Sequence, residues 1–212
     1  MIVEIAIPEL TLYPKGFPDY WLNMVFRGTV SDIHKINALV TTYVRLVEAS
    51  YTHYRFARRH VQEFWNNNFS LPLGSANLSA TYFEDCINSM HRTVLFMRGI
   101  RNNREVPTDL ISLFPKKPRF TQDGVAKRLR ELRDAVQHMD ELLLKGAIPK
   151  DTPFALQATG PETPVLDQPN QTRTVIDRLT IGGYEILFTE LVAWLHEMGK
   201  CAEILSKYDR FK

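Results

Sequence analysis

An arginine and a histidine on what reads as one helix are the groups of this 212-residue chain best suited to acid–base work on a phosphodiester. The run is Arg133-Asp134-Ala135-Val136-Gln137-His138, followed by Met139-Asp140-Glu141. Imidazole exchanges a proton near neutral pH, so His138 is suited to trade one with a ribose 2′-hydroxyl or a leaving 5′-oxygen. Arg133 is always charged and forked. It suits the scissile phosphate and the charge that builds on it in the transition state. Asp134, four residues before His138, is placed to orient the imidazole. Such a reaction needs no metal and leaves a 2′,3′-cyclic phosphate and a 5′-hydroxyl.

The helix that carries these groups decides whether they meet. With Leu129 set to zero, the 100° step of an α-helix centres the apolar stripe near about −40°. Arg130 falls near about 100°, Asp134 near about 140° and His138 near about 180°. These three make a line at i, i+4 and i+8 opposite the core. Arg133, near about 40°, lies on the flank of the stripe, about 140° from His138. One helix alone does not build the dyad; a neighbouring helix or a second subunit has to complete it. Without one, Arg130, Asp134 and His138 are a solvated face with i,i+4 contacts.

The run resembles the motif of the HEPN superfamily in residue type and in its place on the third long helix. The resemblance implies a mainly α fold, an antiparallel four-helix bundle, with the motif facing a cleft commonly formed between two protomers. Two functions follow from it. One is a metal-independent endoribonuclease, a toxin or defence component acting on RNA through Arg133, Asp134 and His138, with an antitoxin as a possible partner. The other is a non-catalytic, dimeric interaction or nucleotide-binding module. In some HEPN toxins a tyrosine two residues after the histidine is nucleotidylated by the antitoxin. Asp140 stands there in this chain, which puts that mode of silencing in doubt.

Periodicity sets out the elements. A long helix is expected over 32–67, with Ser31 as its N-cap and Ile36, Val40, Tyr43 and Val47 on its apolar stripe. A second is expected over 79–101, on Phe83, Ile87, Met90, Val94 and Met97, after a loop at 69–75. A third spans 122–145 on Val125, Leu129, Leu132, Val136, Met139 and Leu143, and a last one spans 189–206. Residues 2–7 read as a short strand. Residues 13–29, with Pro14, Gly16, Pro18 and Gly28, read as irregular, and 102–121 as a loop with one short helical turn at most. Residues 154–158 form a possible strand, and 179–186 read as a hairpin turning at Gly182-Gly183. Four amphipathic helices bury their stripes most economically in one bundle. The chain therefore reads as a single domain over 1–212, with 149–187 as an irregular and β-hairpin excursion.

Further groups could line a cleft or contact RNA. Glu84, Asn88 and His91 lie on one flank of the second helix, placed to add a polar wall opposite the third. Arg130 and the loop cations Lys116, Lys117 and Arg119 are candidate phosphate contacts. Arg55, Arg58, Arg59 and His60 form another basic cluster, and Arg98, Arg101 and Arg104 a third. His34, His53 and His196 have no partners by spacing. No phosphate-cradling glycine loop, zinc-binding His pair or serine-nucleophile elbow is found, so neither a metal nor a cofactor is expected.

Composition sets outer limits. Hydrophobic residues at 44% and charged residues at 24% suit a globular domain with a sizeable core. A net charge of +2 is too small to identify a nucleic-acid partner without local clustering. Cys86 and Cys201 fall on apolar stripes and outside zinc spacing, as small buried hydrophobes in a reducing cytoplasm do. The first residues have no basic start and no cleavable apolar core, so neither a signal peptide nor a membrane partner is expected.

Overall fold

The computed structural model describes residues 2–10, 13–28, 30–66, 73–147, 155–166 and 168–208. Within them the chain is mainly helical, with six α-helices and two small sheets. This is richer than the four-helix scheme the periodicity suggested. The long helices are α2 (His34–Asn66), α3 (Leu73–Asn102), α5 (Asp123–Leu144) and α6 (Phe188–Lys207). α2 packs along α3, α5 lies against α3, and α6 contacts α2.

Two helices appear where loops were expected. Gly16–Arg27 forms α1, which packs on α6. Its glycine and prolines misled because they sit at its start. Pro18 is in the first turn, where the missing N–H has no intrahelical acceptor to lose. Within 102–121, Thr108–Leu113 forms the short α4 and Arg119–Thr121 a 3₁₀ turn. The loop expected at 69–75 is helical from Leu73; its residues 69–72 lie outside the described residues. α2 begins at His34, so Ser31 is not its N-cap: the Ser31 hydroxyl accepts the Ile33 N–H at 3.1 Å ahead of the helix, and the Asn37 side chain closes back on the Ser31 backbone.

The tyrosines of α2 show how the apolar stripe and the polar inventory are reconciled. Tyr43, Tyr51 and Tyr54 are fully buried. Their hydroxyls donate to the carbonyls of Met198 (2.9 Å), Leu195 (3.1 Å) and Pro8 (2.7 Å), so no phenol is left unpaired in the core. Gly199 makes this possible, since a Cβ there would stand 2.6 Å from the Tyr51 hydroxyl. Phe83 sits at the centre, wholly buried between the rings of Tyr54 and Phe188.

The β-structure forms two three-stranded sheets. β1 (Ile2–Ile5) runs parallel to β4 (Gln168–Ile176), with Ile2 opposite Arg173, and β3 (Glu162–Val165) pairs antiparallel with β4. β2 (Gln157–Thr159) pairs antiparallel with β5 (Arg178–Ile181), which forms the expected hairpin with β6 (Tyr184–Leu187). Gly182 has φ of 56°, the left-handed conformation a tight turn requires. The strand expected at 154–158 is displaced to Gln157–Thr159; Phe154 lies outside the described residues. Gly160 joins β2 to β3 where the backbone passes directly against the Val175 carbonyl.

α5 is thereby held on two sides. One flank meets α3, and the other meets β5 and β6. Arg128 ties it to α6, with its guanidinium on both Glu190 carboxylate oxygens (2.7 and 2.9 Å) and 5.6 Å from the Trp194 ring centre. Among the described residues no helix is long and apolar enough to cross a membrane.

Candidate functional site

On the outward face of α5, Arg130, Asp134 and His138 line an open hollow of about 600 Å³ with Glu131, Ala135, Gln137, Glu141 and Tyr184. The i, i+4, i+8 line therefore survives as one surface. β6 adds Tyr184, which pattern reasoning had read only as part of a hairpin. His138 is 68% exposed, and its Nδ1 lies 3.7 Å from Glu141 Oε2.

Arg133 does not share this hollow. Its Nη1 donates to Asp134 Oδ1 at 2.6 Å and to Gln137 Oε1 at 2.7 Å. Its side chain is 31% exposed, and Nε is buried with no hydrogen-bond partner among the described residues. Asp134 therefore binds the arginine, and the acid beside His138 is Glu141. The guanidinium is spent within its own helix on the α3 side, and the imidazole stands in solvent. The i,i+4 spacing of Arg133 and Gln137 is what allows this contact along the helix.

The imidazole that senses Arg133 belongs to α3. His91 is buried, and its Nδ1 has no hydrogen-bond partner among the described residues. Burial lowers its pKa, Arg133 and Arg130 lower it further, and Asp134 opposes them. Glu84 accepts the Leu156 N–H at 3.3 Å. Burial raises its carboxyl pKa, against that hydrogen bond, and Asp140 and Asp85 raise it again. The α3 flank thus faces α5 as a partly desolvated polar seam. Asn88, between the two, is exposed.

This seam carries a pH signature. A histidine whose folded pKa is depressed is held neutral, so the unfolded chain takes up its proton first. Its contribution is present above the ordinary value of 6.5 and is lost as pH falls through the lower folded value. Glu84 has the opposite sign: its contribution is present below the ordinary 4.5 and is lost as pH rises through the raised folded value. Comparing wild type with His91→Leu isolates the histidine. Melting temperatures at about pH 7.5 and about pH 5.5 should converge in the variant and separate in wild type, which loses stability in acid. Equal acid sensitivity in the two proteins would remove His91 from this role.

The remaining candidates are placed apart from the hollow. Arg119 lies ahead of α5, and His138 is about 22 Å further along that helix from its first residue. The backbone N–H of Arg119 donates to Glu197 Oε2 at 2.8 Å, and its side chain approaches the same carboxylate. Arg101 donates to the carbonyls of Pro115 and Lys116 at 2.6 and 2.5 Å. Arg98 holds the Thr121 carbonyl and Asp123. Arg98 and Arg101 of α3 therefore fasten the loop that bears exposed Lys116 and Lys117. Both cysteines are buried, and burial pushes their thiols up, Cys201 to about 12, which suits packing and not nucleophilic chemistry.

Comparison of the chain with family models, with curated proteins and with solved structures found no match.

Proposed function

We propose that this chain is a non-catalytic, HEPN-like interaction module, in which α2, α3, α5 and α6 act as the helical bundle and the His138 face docks a cationic group of a partner protein. One observation carries the reading: the signs of the charges around His138. The hollow is lined by the carboxylates of Glu131, Asp134 and Glu141 against the single guanidinium of Arg130. Asp134 is paired with Arg133 and Glu131 lies 3.6 Å from Lys127, so the carboxylate left beside His138 is Glu141, which a phosphodiester would meet as a like charge and a lysine or arginine side chain as a complementary one. Arg133, the group meant to hold the scissile phosphate, is already engaged by Asp134 and Gln137.

The ribonuclease reading keeps one observation in its favour: His138 stands exposed in a hollow open to a ligand.

Incubating purified protein with total RNA in EDTA separates the two. The docking reading expects intact RNA with wild type, Arg133→Ala and His138→Ala alike. Cleavage by wild type that is lost in both folded variants would establish the ribonuclease and end the docking proposal.

A further inference from the structure

A second hollow, of about 360 Å³, lies against α2 and has the opposite electrostatic character. It is lined by Arg55, Arg58, Arg59, Thr52, Phe56, Leu10 and Glu9, so three guanidiniums face one carboxylate. The arginines have different duties. Arg58 is structural: its Nε donates to the Ile7 carbonyl at 3.1 Å and its Nη1 to Gln62, with Glu9 4.0 Å away. Arg59 gives its Nε to Glu63 at 2.8 Å and is 71% exposed. Arg55 has no hydrogen bond or ion pair among the described residues and stands exposed at the rim. Arg55 and Arg59 are one helical turn apart, about 6 Å along the axis, and project on one face.

Beside them is an aromatic surface. Phe56 is 43% exposed. It is steadied from α3 by Tyr82, whose ring centre is 5.3 Å away. Tyr82 in turn lies parallel to His60 at 5.6 Å, with His53 at 6.2 Å. The row bridges α2 and α3, and it leaves Phe56 half uncovered at the edge of the arginine hollow.

We propose that this hollow binds a nucleoside phosphate unit, with the phosphate held by Arg55 and by the terminal nitrogens of Arg59, whose Nε alone is given to Glu63, and the base stacked on Phe56. Guanidinium forks match phosphate oxygens, and an exposed ring next to a cationic groove is how single-stranded nucleic acids are held without sequence reading. A carboxylate-bearing peptide would use the arginines but not the ring. The unit can come from a free nucleotide or from a single strand, since both present the same two groups. This site shares no residue with the α5 face and does not depend on how that face functions.

The test is fluorescence anisotropy of a labelled adenylate decamer of single-stranded RNA with the full chain at low salt. Wild type should bind, with affinity that falls as salt rises. The double variant Arg55→Gln/Arg59→Gln and the single variant Phe56→Ala should each weaken binding by about tenfold or more. Lys127→Gln, which removes an exposed cation on α5, should bind as wild type does. Displacement of the decamer by 5′-AMP but not by inorganic phosphate assigns the free nucleotide as a ligand; resistance to 5′-AMP assigns the strand. All four side chains are at least partly exposed, so circular dichroism should show unchanged folding. Absence of binding, displacement by polyglutamate as effective as by RNA, or binding unaltered in the arginine and Phe56 variants would each overturn the proposal.

Discussion

A single methyl group added at position 160 should destabilise the fold by about 3 kcal/mol or more. The Cβ of Gly160→Ala would fall 1.5 Å from the Val175 carbonyl oxygen and 2.6 Å from its carbon. Both obstacles are main chain, so rotation of a side chain offers no relief. The strands would have to part, and the bonds flanking the contact would be strained with them: Asp177 N–H to the Thr159 carbonyl at 3.0 Å, and Val175 N–H to the Pro161 carbonyl at 3.2 Å. Those bonds join the ends of both sheets, so the damage would spread beyond one residue. In a chain of this length each kcal/mol moves the melting temperature by about 2–4 °C, giving an expected fall of about 6–12 °C. A melt within a degree or two of wild type would show that the contact is not as tight as described.

The second large effect is expected in the helical core. Phe83→Ala should cost about 4 kcal/mol, from lost apolar burial and from the cavity left behind. Phe83 is wholly buried, with ring centres 6.2 Å from Tyr54 and 5.3 Å from Phe188. One side chain therefore joins α3 to α2 and α6, and its aromatic pairs add to the transfer term. Phe83→Leu keeps most of the volume and should lose less than half as much. Urea midpoints in the order wild type, Phe83→Leu, Phe83→Ala would agree with this. Equal midpoints for the two variants would mean that ring geometry, not filled volume, decides the site.

The long helices were legible because burial on a helix repeats with the helical turn. Val40, Tyr43 and Val47 mark α2, and Phe83, Ile87 and Met90 mark α3, whatever else surrounds them. The hairpin was legible because Gly182-Gly183 supplies a backbone conformation that few other residues adopt. α1 was hidden by composition: Gly16 and Pro18 are breakers in the middle of a helix but not at its first turn. The pairing of β1 was hidden for another reason. Its partner lies at the far end of the chain, and alternation in one strand carries no record of which strand it joins. β3 escaped notice because Glu162, Thr163 and Pro164 are all exposed and show no apolar alternation.

The candidate site divides along the same line. That Arg130, Asp134 and His138 share one face follows from the 100° step, as does the separation of Arg133 from His138. The arrival of Tyr184 from β6 could not be read that way, because it depends on a tertiary neighbour. The turn of Arg133 toward Asp134 and Gln137 stays within α5, where its i,i+4 spacing to Gln137 is legible. The sign of the hollow was open to reading, since Glu131 and Glu141 are on the same helix.

The parallel pairing of β1 with β4 bears on how the chain is made. Ile2 lies opposite Arg173, so the whole stretch between these two residues must be synthesised before β1 can be seated on β4. The helices rely on nearer contacts and can begin to assemble earlier. Through that interval the segment Ile2–Ile5 is a nascent, β-branched edge open to pairing with other chains. In the folded protein the Tyr54 and Arg58 side chains, which donate to the carbonyls of Pro8 and Ile7, fasten the segment that follows β1 to α2 independently of β4.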